Sequence, residues 1–246
     1  MWFSNKEKKT KKKVKKTFSQ VLWEYAQSLG IALILALMIK TSVVEAYKIP
    51  SGSMEDTLLV GDFLLANKFV YGMKLPIPYT DIHLPSIYEP EQGDVIIFKY
   101  PRDPSINYIK RCIATEGQVV EIRDKVVYVD GKKYDDPSLM KHTDPRIFPS
   151  GAYSIRDNLP PTRVPAGNLF MMGDNRDNSA DSRFWGFLDR KLVMGKAMVI
   201  HWSWAPDDNA PEVKYANPLS IAGWIGYNII HFPQRVRWSR VGSIIS

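Results

Sequence analysis

The sequence is nearly free of cysteine, because Cys112 is the only one among 246 residues. An intramolecular disulfide is therefore excluded, and we expect Cys112 to be a small buried side chain rather than a reactive thiol. The four histidines, His83, His142, His201 and His231, are scattered and form no catalytic pattern such as HExxH. No serine lies in a G-x-S-x-G sequence, so the usual signal of an α/β-hydrolase is missing. For a serine nucleophile, lysine is then the remaining candidate base.

Beyond the N-terminus, positive and negative charges balance. Eight lysines and one glutamate within residues 6–16 account for the whole formal charge of +7. The remainder of the chain requires no basic face, and we expect no nucleic-acid partner. With 45% hydrophobic residues, the chain can bury a core and form one or two domains.

An apolar stretch follows the lysines. Residues 22–44 predict a transmembrane helix, since at about 1.5 Å per residue they cover roughly 34 Å of a hydrocarbon core of about 30 Å. The positive-inside rule places residues 1–21 in the cytoplasm as a basic tail and residues 45–246 on the outer side. A cleavable signal peptide ending at Val44-Glu45-Ala46 is the alternative. We favour an uncut anchor, because Lys40 interrupts the approach to that site.

The remaining sequence is typical of a strand-rich domain. Short β-branched or aromatic runs bounded by Gly, Pro and Asp predict strands. They are Asp94 to Tyr100, Tyr108 to Ala114, Gln118 to Asp124, Asn168 to Asp174 and Lys196 to Trp204. Residues 126–134 contain an Asp-Gly pair between extended arms, which predicts a hairpin. Residues 135–166 are rich in Pro, Asp and Arg, so we expect an irregular part of a small inserted lobe at 125–167.

The C-terminal region holds a second apolar segment, residues 219–232. It is too short to span a bilayer and is interrupted by glycines, so we expect it to be buried or interfacial. A basic aromatic tail follows, comprising Arg235, Arg237, Trp238 and Arg240. This tail suits a position near lipid headgroups, and an ordinary solvated C-terminus is an equal alternative.

Ser53 and Lys110 are the candidate reactive pair. Ser53 lies in IPSGSM, just beyond the apolar stretch, and a hydroxyl there would reach substrates presented at the membrane surface. Lys110 lies in YIKR, where strand alternation allows its amine to point into an apolar pocket. To act as a base near neutral pH, its pKa must fall from about 10.4 to roughly 7–8, which burial can achieve.

Residues 173–183, GDNRDNSADSR, form the densest polar run. A calcium loop is one interpretation, but Ser182 stands where that loop needs glycine and Leu188 where it needs glutamate, so we reject a metal site. We expect instead a hydrogen-bonded scaffold in which Asp and Arg pair while a serine orients the lysine amine.

These motifs together resemble the bacterial type I signal peptidases of the single-span form. The matching stretches also include TLLVGDFLLANKFVYG, GDVIIF and FMMGDNRDNSADSRFWGF, and they follow one another in order from the span toward the C-terminus. The resemblance implies a mainly β fold, with an antiparallel β catalytic domain and a small inserted lobe after one transmembrane helix. It implies a serine endopeptidase that removes signal peptides from secreted pre-proteins at the outer face of the cytoplasmic membrane. Pre-proteins and membrane lipid are the implied partners, and neither cofactor nor metal is expected.

The resemblance also implies a role for each matched residue. Ser53 is the implied nucleophile, Lys110 the general base, Ser51 the oxyanion donor and Ser179 the residue that orients the lysine. Two supporting ion pairs are implied, Asp181 with Arg183 and Asp174 with Arg111. The implied substrate pocket comprises Tyr47, Ile49, Met54, Leu58, Tyr108 and Ile109.

Three alternatives remain at this point. Ser138 to Lys141 matches the S-x-x-K of penicillin-recognising acyl transferases, but no K-T-G follows. A self-cleaving repressor also uses a Ser/Lys pair, although no DNA-binding helix pair is evident here. An anchored protein that binds peptides without cleaving them is the third, and a cleavage assay with Ser53→Ala and Lys110→Ala variants distinguishes it.

Overall fold

The computed structural model describes residues 17–42, 44–72, 86–149, 155–213 and 217–245. Most of the predicted basic tail and His83 lie outside these residues. The chain divides into two compact units, Met1–Lys40 and Thr41–Ser246.

Helix α1 comprises Phe18–Ser42. Within the part of the chain that the structure describes, no helix has both the length and the apolar character needed to cross a membrane. Val44, which we predicted as the last residue of the span, is instead the first residue of a strand, because Val44–Lys48 pairs with Asp62–Asn67.

Within the described ranges, the larger of two antiparallel sheets has seven strands in the order β1-β2-β11-β3-β4-β9-β10. Its strands are β1 Val44–Lys48, β2 Asp62–Asn67, β3 Val95–Tyr100, β4 Asp103–Ala114, β9 Asn168–Met172, β10 Leu188–Asp189 and β11 Val193–Ser203. In β2 every second residue is buried, as in a strand with one face on a core. In β3 four consecutive residues from Val95 to Phe98 are buried, so both faces of this central strand are covered.

The smaller sheet has four strands in the order β7-β6-β5-β8. They are β5 Val119–Arg123, β6 Val126–Val129, β7 Lys132–Lys133 and β8 Leu159–Arg163. The predicted hairpin is present as β6 and β7, with Asp130 and Gly131 at its turn. The smaller sheet begins at Val119, six residues before the predicted lower bound of the inserted lobe. Its core is shared with the ends of β4 and β9 through Ile113, Phe170 and Met172.

Most of the predicted strands match observed ones within a few residues, namely β3, β4, β5, β9 and β11. The mainly antiparallel β architecture is therefore confirmed. Strands β1, β2, β8 and β10 were not predicted. Cys112 is fully buried in a core cluster with Ile96 and Phe98, as expected.

The described residues of the second unit contain three further α-helices: α2 Ser182–Trp185, α3 Pro218–Ile230 and α4 Phe232–Arg235. Helix α3 coincides with the second apolar segment, and none of its residues is buried. The buried alternative for that segment is therefore wrong. The C-terminal basic aromatic tail is fixed to the sheet at two points. Arg237 and Arg240 both form ion pairs with Asp62, which is fully buried.

Gly61 connects the larger sheet to the segment that carries Ser53. Its N–H donates to Ile49 O at 3.0 Å and its carbonyl accepts from Trp204 N at 2.9 Å. Its φ is +89°, and a Cβ added there would lie 2.0 Å from Trp204 O. Both the backbone conformation and the close approach therefore require glycine at this turn.

We expect Gly61→Ala to destabilise the catalytic unit more than Gly117→Ala does. Gly117 has a similar φ of +82° but no atom within 4 Å of an added Cβ, so its variant loses only the roughly 1–2 kcal/mol of a left-handed residue. The Gly61 variant should lose about 1–3 kcal/mol more, because Trp204 must shift. Urea unfolding of the full chain in detergent measures both, and equal losses would contradict the close approach.

Candidate active site

Ser53 lies in a short 3-10 helix, Gly52–Met54, between β1 and β2. Ile49 anchors the start of this segment, since its N–H donates to Asp62 O at 2.8 Å and its side chain is buried. Met54 and Leu58 anchor the other end, because both side chains are fully buried in the core. The hydroxyl of Ser53 is thus presented by a turn that is fixed on both sides.

Lys110 lies on β4, and its side chain meets Ser53. The Lys110 Nζ is 2.7 Å from Ser53 Oγ and also donates to the carbonyl of Ile109 at 2.9 Å. Pairing of β4 with β3 fixes the height of Lys110 in the sheet, opposite Ile96. The two side chains singled out from the sequence, 57 residues apart, are therefore within hydrogen-bonding distance.

Burial governs the charge of Lys110. The residue is only 4% exposed, and removal from water disfavours an ammonium ion. This desolvation lowers the pKa of Lys110 from 10.5 to about 8, although the carboxylates of Asp181 and Asp174 partly oppose the change. A substantial fraction of the side chain is therefore a neutral amine at mildly alkaline pH, as a general base requires.

Ser179 lies beside the pair but makes a different contact from the one expected. A Cβ added to Gly173 would lie 2.3 Å from Ser179 Oγ and 2.4 Å from Ser53 O, so Gly173 allows the two segments to approach. Ser179 is buried, and within the described residues its hydroxyl has no hydrogen-bond partner. The expected hydrogen bond from Ser179 to Lys110 is not formed in this structure.

Arg111 and Asp174 form the first predicted ion pair. Arg111 donates from Nε to Asp174 Oδ1 at 2.8 Å and from Nη2 to Oδ2 at 2.7 Å, and both side chains are almost fully buried. Thr57 donates to the same carboxylate at 2.7 Å. Arg111 is the neighbour of Lys110 in sequence, and Thr57 lies four residues after Ser53. Asp174 therefore links the segment that carries Lys110 to the segment that carries Ser53.

Arg183 and Asp181 form the second predicted pair, again with two hydrogen bonds, at 2.8 and 2.7 Å. Asp181 also accepts from Gly173 N at 3.1 Å, and Arg183 donates to the carbonyls of Arg176 and Arg156. Two-pronged contacts of this kind fix direction as well as distance. The polar run is therefore the internally bonded scaffold that its sequence predicted.

A cavity of about 380 Å³ opens at the Ser53 hydroxyl. Ser51, Ser53, Tyr108, Ile109 and Lys110 line it, together with Pro50, Gly52, Ile106, Asn107, Asn178 and Ala180. Of the six predicted pocket residues, only Tyr108 and Ile109 are among these lining residues. Ile49, Met54 and Leu58 belong to the core cluster behind the cavity, and Tyr47 packs against that cluster.

Ser51 is the N-cap residue of the 3-10 helix and is exposed. Its side chain makes no capping hydrogen bond to that helix. The hydroxyl is therefore not engaged by the turn that it precedes, and it faces the same cavity as Ser53.

Asn175 was missed by sequence reasoning. Its N–H donates to Ser53 O at 3.1 Å, and its side-chain amide donates to Gly52 O and to Glu55 at 3.1 and 3.2 Å. The residue lies inside the polar run, but only the charged and serine members of that run were assigned roles. Its position within the polar run was the only sequence feature that could have indicated a role in the site.

Comparison with known proteins gives a consistent result. A family model described as "Signal peptidase, peptidase S26" matches residues 22–202. The signal peptidase I of Pseudomonas fluorescens is 38% identical over 213 residues, which cover 75% of this chain and 74% of that protein. That of Pseudomonas aeruginosa is 37% identical over 224 residues, with 80% and 76% covered. That of Aquifex aeolicus is 33% identical over 267 aligned positions, with 87% and 95% covered.

The family match covers well over half of the chain, and these relatives exceed 30% identity over most of it. The antiparallel β architecture and the Ser53–Lys110 contact agree with a peptidase of this kind. The chain therefore belongs to the peptidase S26 family of signal peptidases, which are serine endopeptidases.

Proposed function

We propose that this chain removes N-terminal signal peptides from secreted pre-proteins, with Ser53 as the nucleophile and Lys110 as the general base. The observation that carries the proposal is the 2.7 Å contact between the Lys110 amine and the Ser53 hydroxyl, made by a lysine that is almost completely buried. Membership of the family supports the substrate class.

Catalysis proceeds by acyl transfer. The neutral Lys110 amine takes the Ser53 proton as Oγ attacks the scissile carbonyl, which gives a tetrahedral oxyanion and a Lys110 ammonium. Collapse breaks the peptide bond, Lys110 returns the proton to the leaving amine, and the acyl group stays on Ser53. Lys110 then takes a proton from water, whose oxygen attacks the ester carbonyl. When this intermediate collapses, the bond to Ser53 Oγ breaks, Lys110 returns the proton to Oγ, and the signal peptide leaves with a new carboxyl end.

The oxyanion is held by the Ser51 hydroxyl and the Ser53 N–H. Support for Ser51 comes from its place in the cavity wall and from the absence of any capping bond that would engage its side chain. Donors fixed in place before the reaction stabilise the charge that develops on the carbonyl oxygen.

The substrate binds as an added strand along β4. Residues 103–111 of β4 pair with β3 on one side, whereas β9 pairs only with Arg111–Ala114 of β4. The second edge of residues 106–110 therefore faces the cavity and not another strand of the described chain. Backbone groups of an extended peptide can bind such an edge, while Tyr108 and Ile109 favour small apolar side chains before the cut. Asn178 lies across the cavity from this edge and adds a polar group to the site.

We assign the remaining predicted roles on geometry. Asp174 with Arg111 and Asp181 with Arg183 hold the loops that carry Ser53 and Ser179. We propose that Ser179 orients Lys110, because its buried hydroxyl lies beside Gly173 and has no hydrogen-bond partner among the described residues. Neither a cofactor nor a metal takes part in the proposed steps.

The enzyme acts at the outer face of the cytoplasmic membrane, with the N-terminus inside. The proposal rests on the eight lysines that precede α1 and on the positive-inside rule. The single anchor that we predicted at residues 22–44 is proposed to end before Val44, because Val44 begins strand β1. Residues 1–21 are the proposed cytoplasmic tail, and the proposed extracytoplasmic catalytic domain, predicted as 45–246, includes β1.

Membrane lipid also contacts the catalytic domain through α3. Leu219, Ile229 and Ile230 of this helix are 79%, 68% and 71% exposed. Thirteen residues cover only about 20 Å, less than a bilayer core, so the helix suits the plane of the interface. Trp224 on the same helix and Trp238 after it are also exposed, and tryptophan favours the headgroup level.

The central test is cleavage of a purified pre-protein by the full chain in detergent. Ser53→Ala and Lys110→Met should each lower the rate by at least about 10³-fold, because each removes one member of the reacting pair. Lys99→Met, an exposed lysine on the neighbouring strand β3, is the matched control and should cleave normally. Retention of cleavage by either variant would exclude that residue from the proposed role, and an inert wild type would favour the binding-only alternative.

The lipid contact is tested with the full chain in vesicles. Ile229→Ser with Ile230→Ser should slow cleavage of a pre-protein embedded in the same vesicles by about threefold to tenfold, since apolar burial at the interface weakens. A short soluble peptide should be cleaved at the wild-type rate. Ile87→Ser with Ile147→Ser, an exposed pair on other segments (54% and 51%), is the control. If the Ile229→Ser, Ile230→Ser variant cleaved both substrates at the wild-type rate, the lipid contact would be contradicted.

A further inference from the structure

Asp56 lies in an unusual backbone conformation close to the nucleophile. Its φ is +74°, a left-handed value that a residue with a side chain adopts at a cost. It lies within the turn that follows Ser53, in which Leu58 N donates to Met54 O at 2.6 Å. This strained residue therefore belongs to the connection between the nucleophile and the buried Leu58.

One side chain from the inserted lobe contacts this turn. The Lys141 Nζ is 3.0 Å from Asp56 Oδ2 and 3.2 Å from Glu55 Oε2. The carboxylates of Asp56 and Glu55 raise the pKa of Lys141, so its side chain is an ammonium ion at neutral pH. Without this cation, two neighbouring negative charges would face each other three residues or fewer from Ser53.

The backbone of Lys141 is also fixed, which makes its side chain a defined contact. Its N–H donates to Asp174 O and its carbonyl accepts from Arg176 N, each at 3.0 Å. Between these two residues, Asn175 donates to Ser53 O and, through its side chain, to Glu55. The Lys141 side chain therefore contacts the turn after Ser53, while Asn175, which its backbone bridges, holds the backbone of Ser53 itself.

We propose that Lys141 is a positioning residue for the cleavage reaction: its ammonium bridges Glu55 and Asp56 and keeps the left-handed turn behind Ser53 in place. The inference rests on the proposed function of Ser53. It also gives Lys141, the lysine of the S-x-x-K sequence, a role that involves no chemistry at Ser138. The inserted lobe thereby contributes a residue to the organisation of the active site.

The proposal predicts a loss of turnover with little change in substrate binding. Lys141→Met should lower kcat for pre-protein cleavage by about threefold to tenfold, with KM within about twofold, because exposed ion pairs are individually weak. Lys141→Arg keeps the charge and should restore most of kcat. Lys133→Met, from the exposed strand β7 of the same lobe, should match the wild type. Thermal unfolding of all variants shows whether a loss in kcat reflects loss of fold.

A second pair of variants isolates the mechanism. Glycine adopts a positive φ without cost, so in an Asp56→Gly background the Lys141→Met change should lower kcat by less than about twofold. In an Asp124→Gly background, where a distant aspartate with φ of +47° is replaced, the full loss should persist.

Equal losses in both backgrounds, or wild-type kcat in Lys141→Met, would overturn the positioning role. A lowered unfolding temperature that accounts for the loss, without rescue by Lys141→Arg, would overturn it as well. The Ser53→Ala variant separates this outcome from failure of the proposed function. If that variant is inactive while Lys141→Met is normal, only the role of Lys141 fails.

Discussion

The hydrogen bond between the Lys110 amine and the Ser53 hydroxyl depends on a lysine that has lost its water. An ammonium ion on an exposed strand would hold its proton well above neutral pH and could not accept another. In this chain β4 carries Lys110 into the interior, and desolvation outweighs the attraction of Asp174 and Asp181. Both carboxylates are engaged by arginines in two-pronged contacts, which limits how strongly they stabilise the lysine cation. The ion pairs therefore stabilise the loops. They also weaken the stabilisation of the Lys110 ammonium by Asp174 and Asp181.

The loops around this pair are connected to one another by few but well-defined contacts. Asp174 binds Arg111 beside the lysine and Thr57 beyond the serine, while Gly173 permits the close approach of Ser179 to the Ser53 backbone. Substitutions between Gly173 and Arg183 should therefore change the position of the Ser53 turn relative to Lys110, which depends on contacts between loops and not on one strand. The rigid sheet sets the positions of Lys110 and Asp62, and the polar run adjusts the serine turn to them.

Much of this arrangement was predictable from the sequence. Strands with strong alternation or continuous apolar runs, such as β3 and β4, were predicted within a few residues, and Ser53 and Lys110 were paired from their motifs. Strands β1 and β2 were not predicted. For β1 the reason is that it directly follows the apolar stretch, whose sequence gives no signal for where a strand begins. The pocket was only partly predicted: Ile49, Met54 and Leu58 are apolar residues near the serine, but the turn directs them into the core. Contacts that depend on tertiary approach, such as those of Asn175 and Lys141, leave no periodic signal in the sequence.

Direct titration of the Lys110 amine tests the central claim most closely. Lysine labelled with ¹³C at Cε, in the full chain in detergent, reports the protonation of each lysine by NMR, and the Lys110→Met variant assigns the signal. Lys110 should titrate with a pKa of about 8. A signal that stays cationic up to the ordinary value of 10.5 would contradict the proposal that this lysine serves as the base.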